Sequence, residues 1–216
     1  MPLTHQNSPR CSLYLFTPLL SAADADAFGK IFAEALEAAP IASALVRFAP
    51  GSEAHAKAIV APLLRPARDA DCAVLIENDA RLAARLGADG VHVAGDGEDL
   101  IEAIKSLKPE RIVGAGSLRT RDEAMTAGEM GADYVMFGEP RPDGWTPPLT
   151  ETLDRVGWWA EIFETPCVAF AATLDAVAPL AAVGADFVAL GDAVWSAPSP
   201  EAAVAEATRR IAQLAE

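Results

Sequence analysis

Three arginines, Arg47, Arg119 and Arg141, fall at or just past the ends of short apolar runs, and so do the acids Glu77, Asp79, Asp96, Glu139 and Asp192. A guanidinium is a permanent cation with a planar fork of donors, suited to phosphate and carboxylate oxygens. Two readings follow: the arginines form an anion site, or they neutralise the acids on a shared rim. Trp145, in a loop, is suited to line a wall for a flat ring, whereas Trp158-Trp159 reads as helix packing. Trp195 follows the last apolar run, where it would cover an interface or a barrel mouth. Of the three histidines, His5 is near the N-terminus, His55 is in a helical run and His92 is inside an apolar run. His92 reads as a packed, hydrogen-bonded residue. Cys11, Cys72 and Cys167 are too far apart for a CxxC or zinc pattern and read as reduced, buried thiols. "GAG" at 114–116 is too short for a nucleotide fingerprint, and neither a P-loop nor a nucleophile elbow is present.

The elements that must position these residues repeat along the chain. Strand-like runs at 12–17, 43–49, 72–77, 90–94, 111–116, 133–138, 167–172 and 186–191 alternate with helix-like runs at 22–38, 52–65, 79–86, 98–107, 121–130, 150–163, 175–183 and 200–215. Asp79 and Ser199-Pro200 are helix-start signals, while Gly87, Gly131 and Gly184 are helix-stop signals. Each of those glycines opens a Gly-Ala-Asp triplet, read as the junction between a helix and the next strand. Strict βα alternation requires parallel strands and right-handed crossovers. Eight such units predict a single (β/α)8 TIM barrel over 12–216, with function at the C-terminal ends of its strands.

Composition sets the limits. The chain has 216 residues, 51% hydrophobic, with 31 acidic and 17 basic residues giving a net charge of −14. That excess argues against a nucleic-acid backbone or an anionic membrane as partner. No apolar run approaches membrane-spanning length, and "MPLTHQNSPRC" (1–11) reads as a disordered lead-in rather than a signal peptide. A cytoplasmic protein is expected, and tryptophans at a barrel rim would suit a homodimer.

The stretches "ENDARLAARLGADGVHV" and "IVGAGSLRTRDEAMTAGEMGADYVMFGEPRP" resemble the centre of the thiamine-phosphate synthase and thiazole tautomerase family. The detailed match covers about 72–140, and the architecture covers nearly the whole chain. The resemblance implies a TIM barrel acting on thiamine precursors: a hydroxymethylpyrimidine diphosphate condensed with a thiazole phosphate, with Mg²⁺. It further implies that Asn78, Asp79 and Asp96 hold Mg²⁺ and diphosphate. Ser117 matches the family serine after the fifth strand and would contact the leaving group or the pyrimidine.

Other positions depart from the family pattern. In "LVRFAPG", Arg47 replaces the family glutamine, and Ala49 and Gly51 replace its two cations. "GEPRPDGWTPP", containing Glu139 and Arg141, lacks the family lysine. Arg119 stands where tautomerases carry a histidine, and arginine cannot shuttle a proton near neutral pH. At the thiazole-phosphate end, Ala171-Ala172 replaces Gly-Gly, and Gly191-Asp192 ends in a carboxylate in place of serine. Two like charges 4 Å apart cost roughly 4 kcal/mol at an effective dielectric of about 20. Two functional expectations result: a transferase in which Arg47, Arg119 and Arg141 take over anion binding, or a catalytically silent paralogue that binds a small ligand or a partner protein.

Overall fold

A computed structural model describes residues 11–141 and 144–214. Its strands are β1 (Ser12–Leu20), β2 (Ile41–Phe48), β3 (Ala73–Glu77), β4 (Gly90–Ala94), β5 (Ile112–Gly116), β6 (Tyr134–Phe137), β7 (Cys167–Ala171) and β8 (Phe187–Leu190). They form a closed barrel in sequential order, and every pairing is parallel. Outside it run α1 (Ala25–Ala38), α2 (Glu53–Asp69), α3 (Ala80–Leu86), α4 (Glu98–Leu107), α5 (Arg121–Glu129), α6 (Leu149–Ile162), α7 (Val177–Ala182), α8 (Asp192–Trp195) and α9 (Pro200–Ala212). The expected fold and its eight strands are in place. Of the expected lead-in, residues 1–10 lie outside the described residues, and Cys11 is buried just before β1.

Strand alternation divides the apolar residues into two cores. Tyr14, Phe16, Leu45, Leu75, Tyr134 and Phe170 fill the barrel interior. Their neighbours, such as Leu13, Leu15, Val46, Val74 and Ala169, pack outward against the helices.

The three Gly-Ala-Asp triplets share one construction. Gly87, Gly131 and Gly184 have φ of 74°, 96° and 105°, the left-handed region that ends a helix without a Cβ clash. The aspartate then closes a two-way clamp on the preceding strand. Asp89 Oδ2 accepts the N–H of Val74, Asp133 Oδ2 that of Val113 and Asp186 Oδ2 that of Cys167, each at 2.8 Å. In return, each aspartate's own N–H donates to the carbonyl of the residue it holds. The repeat thus satisfies backbone groups where β3, β5 and β7 begin.

Several elements differ from the sequence expectation. Strand β1 extends to Leu20 through a bulge around Thr17-Pro18, where Thr17 Oγ1 accepts the N–H of Arg47 at 2.9 Å. Helix α2 continues to Asp69 although it contains Pro62 and Pro66. After β8 the chain forms the short helix α8, which was not expected.

Candidate active site

The C-terminal mouth is organised by a buried polar chain. Tyr14 Oη lies 3.0 Å from Tyr134 Oη, Tyr134 Oη 2.8 Å from His92 Nδ1, and His92 Nε2 3.0 Å from Glu139 Oε2. The other Glu139 oxygen accepts the backbone N–H of Ser117. Burial pushes both tyrosine hydroxyls far above their ordinary pKa, so they stay protonated and act as donors. An ionised Glu139 only accepts, which puts the His92 proton on Nε2 and leaves Nδ1 to accept from Tyr134. The imidazole also lies nearly parallel to the Tyr134 ring, at 5.7 Å and 16°.

Two glycines of β5 make room for this chain. A Cβ on Gly114 would sit 2.0 Å from the Tyr134 ring, and one on Gly116 would sit 2.3 Å from His92 Nε2 and 2.5 Å from Glu139 Oε1. The "GAG" run is therefore the floor under the polar chain. Ser117, next along, has φ 55°, a left-handed conformation uncommon for serine. The Glu139 carboxylate holds its N–H there.

Ser117, Arg119, Glu139 and Arg141 line one pocket of about 340 Å³, with Met136, Trp145 and Arg155 among its other walls. The Arg141 guanidinium lies 4.1 Å from the centre of the Trp145 ring, and Trp145 is 43% exposed. Arg155 is committed to the scaffold: it donates to the carbonyls of Leu118 and Arg119 and to Glu151. The Arg119 backbone N–H is held by Glu123 in the turn that opens α5. The Arg119 and Arg141 side chains form no ion pair among the described residues.

The remaining candidates lie elsewhere. Arg47 pairs with Glu77 at 3.2 Å, with both side chains about one-third exposed (33% and 35%). This favours the neutralising reading for that arginine. Asn78 Oδ1 accepts the N–H of Ala94 at 2.8 Å, and Asp79 Oδ1 caps α3 through the N–H of Leu82 at 2.8 Å. Both line a cleft of about 270 Å³ that also touches α4 and does not include Asp96. Asp96 is half-buried and makes no hydrogen bond or ion pair among the described residues. No group of three or more His, Cys, Asp or Glu suited to a metal is gathered among those residues.

At the far side of the mouth, the Ala171 side chain is buried against the helices, Ala172 is exposed, Gly191 is buried, and Asp192 is exposed as the first residue of α8. A wider hollow of about 680 Å³, lined by Arg68, Asp89, Arg111 and Asp133, lies at the opposite end, where a barrel keeps stability rather than catalysis.

The aromatic residues sort by packing. Trp159 is 1% exposed and stacks on Phe163 at 4.1 Å, as expected of a helix-packing residue. Trp195 donates from Nε1 to the Phe16 carbonyl at 2.5 Å and meets Phe28 edge-on at 4.8 Å, so it joins α1 to β1. Sequence reasoning missed Tyr14 and Tyr134 because their contact spans 120 residues. The one available signal was an inward-facing tyrosine on each strand beside an inward-facing histidine. No helix among the described residues is long and apolar enough to cross a membrane.

Comparison with known proteins identifies the family and the fold. The family model described as thiamine monophosphate synthase matches residues 13–194. The chain is 41% identical over 205 residues to the thiamine-phosphate synthase of Rhodospirillum centenum, covering 92% of this chain and 97% of that one. It is 38% identical over 212 residues to the thiamine-phosphate synthase of Hyphomonas neptunium, covering 93% and 94%. The thiamine phosphate pyrophosphorylase from Pyrococcus furiosus superposes with a TM-score of 0.78 at 22% identity, covering 95% and 98%, a likeness of fold. With its closed barrel, a family model matching residues 13–194 and relatives spanning nearly its whole length, the chain belongs to the thiamine monophosphate synthase family.

Proposed function

We propose that this chain joins a hydroxymethylpyrimidine diphosphate to a thiazole phosphate, giving thiamine phosphate and free diphosphate. The observation that carries the reading is the gathering of Ser117, Arg119, Glu139 and Arg141 on one pocket at the C-terminal mouth. It occurs in a chain 41% identical to a thiamine-phosphate synthase over 92% of its length. In the reaction, the thiazole nitrogen lone pair forms the new bond to the pyrimidine methylene carbon. The bond from that carbon to oxygen breaks, and its electron pair leaves on diphosphate. Negative charge therefore grows on the leaving oxygens, where fixed cations stabilise it most. Arg119 and Arg141 take the place of the missing family lysine, and the exposed Ser117 hydroxyl donates to the same oxygens.

The acids present suit Mg²⁺, which takes only one or two carboxylates and completes its shell with water and phosphate oxygens. Asp79, with one oxygen on its helix, and Asp96, which lies outside the Asp79 cleft, are the acids that would each offer it a carboxylate. Bound there, Mg²⁺ would supply charge neutralisation on the diphosphate. Asn78 acts one step back, fixing the start of the loop that carries Asp96 through the Ala94 N–H. Backbone groups after Ala171 and Ala172 and at Gly191 would receive the thiazole phosphate, with Asp192 turned to solvent.

The Arg47–Glu77 pair and the carboxylate of Asp192 at the head of α8 favour a second reading, ligand binding without turnover. Mass-spectrometric detection of thiamine phosphate from both precursors and Mg²⁺ separates the two. Product made by the wild type and lost in Asp96→Asn supports the transferase. A folded protein that makes none supports the silent paralogue.

A further inference from the structure

The pocket between the β5 and β6 loops holds a chemical combination that anion binding alone does not explain. A site built only for diphosphate would gain nothing from a carboxylate in its wall, because that carboxylate repels the ligand. Glu139 nevertheless lines the pocket beside Arg119 and Arg141. Its side chain is only 10% exposed, and the surroundings hold it in place from two directions. Ser117 N–H fixes one oxygen and His92 Nε2 fixes the other. His92 is in turn held by Tyr134, and Tyr134 by Tyr14. A carboxylate offers about four acceptor positions, and these two bonds use two of them. What remains is a rigid acceptor with capacity for an N–H or O–H donor from whatever occupies the pocket.

The other walls narrow the occupant further. Trp145 is a part-exposed aromatic wall with the Arg141 guanidinium over its ring, Met136 is an apolar neighbour, and the two arginines attract a terminal anion. Together they suit a flat ring that carries a hydrogen-bond donor and, on a neighbouring carbon, an anionic tail. On the pyrimidine of the proposed substrate the neutral donor of that kind is the exocyclic amine.

We propose that Glu139 is a specificity-determining residue that accepts a hydrogen bond from the exocyclic amine of a pyrimidine diphosphate, with His92 as its positioning residue. The inference rests on the proposed function, and it assigns the pyrimidine to this pocket. Replacing the amine by a carbonyl turns a donor into an acceptor facing an acceptor. Discrimination of this sort is large, because the polar group of the site is left unpaired.

The test is calorimetric titration of the intact protein, in Mg²⁺, with the aminopyrimidine diphosphate and with its 4-oxo counterpart. Binding is read directly, so turnover is not required. Wild type is expected to favour the amine by roughly tenfold or more, the value of one charge-assisted hydrogen bond. Glu139→Gln, with unchanged circular dichroism, should reduce that preference to within about threefold. Arg141→Ala should weaken both ligands by a similar factor and leave the preference intact, which also covers the case of a Glu139 variant that does not fold. Equal binding of the two ligands by wild type would overturn the assignment while leaving the proposed function standing. So would an undiminished preference in Glu139→Gln, or no effect of Arg141→Ala on either ligand. Failure of wild type to bind either ligand would overturn the proposed function along with it.

Discussion

Replacing Gly114 with alanine adds one methyl group at a crowded point of the barrel. The new Cβ would lie 2.0 Å from Tyr134 Cζ and 2.4 Å from its hydroxyl, so the ring must move. It has nowhere easy to go: Tyr134 is 6% exposed, lies parallel to His92 and meets Tyr14 edge-on at 5.9 Å. Overpacking of this kind costs roughly 1–3 kcal/mol. Displacing the hydroxyl also weakens its bonds to Tyr14 and His92, each worth about 1 kcal/mol. The expected loss is therefore about 3–5 kcal/mol, a large share of the roughly 5–15 kcal/mol that holds a domain together. Urea unfolding followed by tryptophan fluorescence measures it, with Gly87→Ala as the control. Gly87 has φ 74° and open space around it, so alanine there incurs only backbone strain, on the order of 1–2 kcal/mol. If the two variants lose the same stability, or Gly114→Ala loses less than about 1 kcal/mol, the steric reasoning fails.

Alanine at Asp89, Asp133 or Asp186 should each cost about 1–3 kcal/mol, because a buried strand N–H loses its acceptor. Losses near zero in thermal unfolding would show that water replaces the clamp. The three thiols are held protonated: burial pushes Cys11, Cys72 and Cys167 from 9.0 up to about 12. At pH 8 only about one folded thiol in ten thousand is thiolate, so a thiol-reactive dye should label the native protein negligibly and the urea-unfolded protein at all three sites. The same shift sets a pH window. The unfolded state releases these protons above pH 9 and the folded state only near 12, so stability is full below pH 9 and falls between 9 and 12. Urea midpoints equal at pH 8 and pH 10.5 would contradict this.

The barrel was legible because its signal is periodic: eight apolar runs, three Gly-Ala-Asp junctions and glycine stops all point the same way. Helix α2 shows where local signals mislead. The expected run stops at 65, just before Pro66, yet the helix continues to Asp69 and packs so closely on α1 that a Cβ at Gly29 would touch Pro62 at 3.3 Å. Tertiary contact outweighs the two missing N–H donors. At the site, the Arg47–Glu77 pair was within reach of the sequence, since Val46 pairs with Ile76 and places the next residues side by side on neighbouring strands. The Tyr14–Tyr134–His92–Glu139 chain was not, because barrel closure brings together strands far apart in the sequence, and no local pattern records which inward side chains will meet. Glu139 and Arg141 could be named from their place after β6, but the fixed orientation of Glu139 depends on that chain.

The most direct measurement is a crystal structure of this protein with the pyrimidine diphosphate and Mg²⁺ bound. Density for the ring between Glu139 and Trp145, with the diphosphate toward Arg119 and Arg141, is the expected result. Ligand density confined to the α3–α4 cleft or to the ends of β7 and β8, with the Glu139 pocket empty, would contradict it.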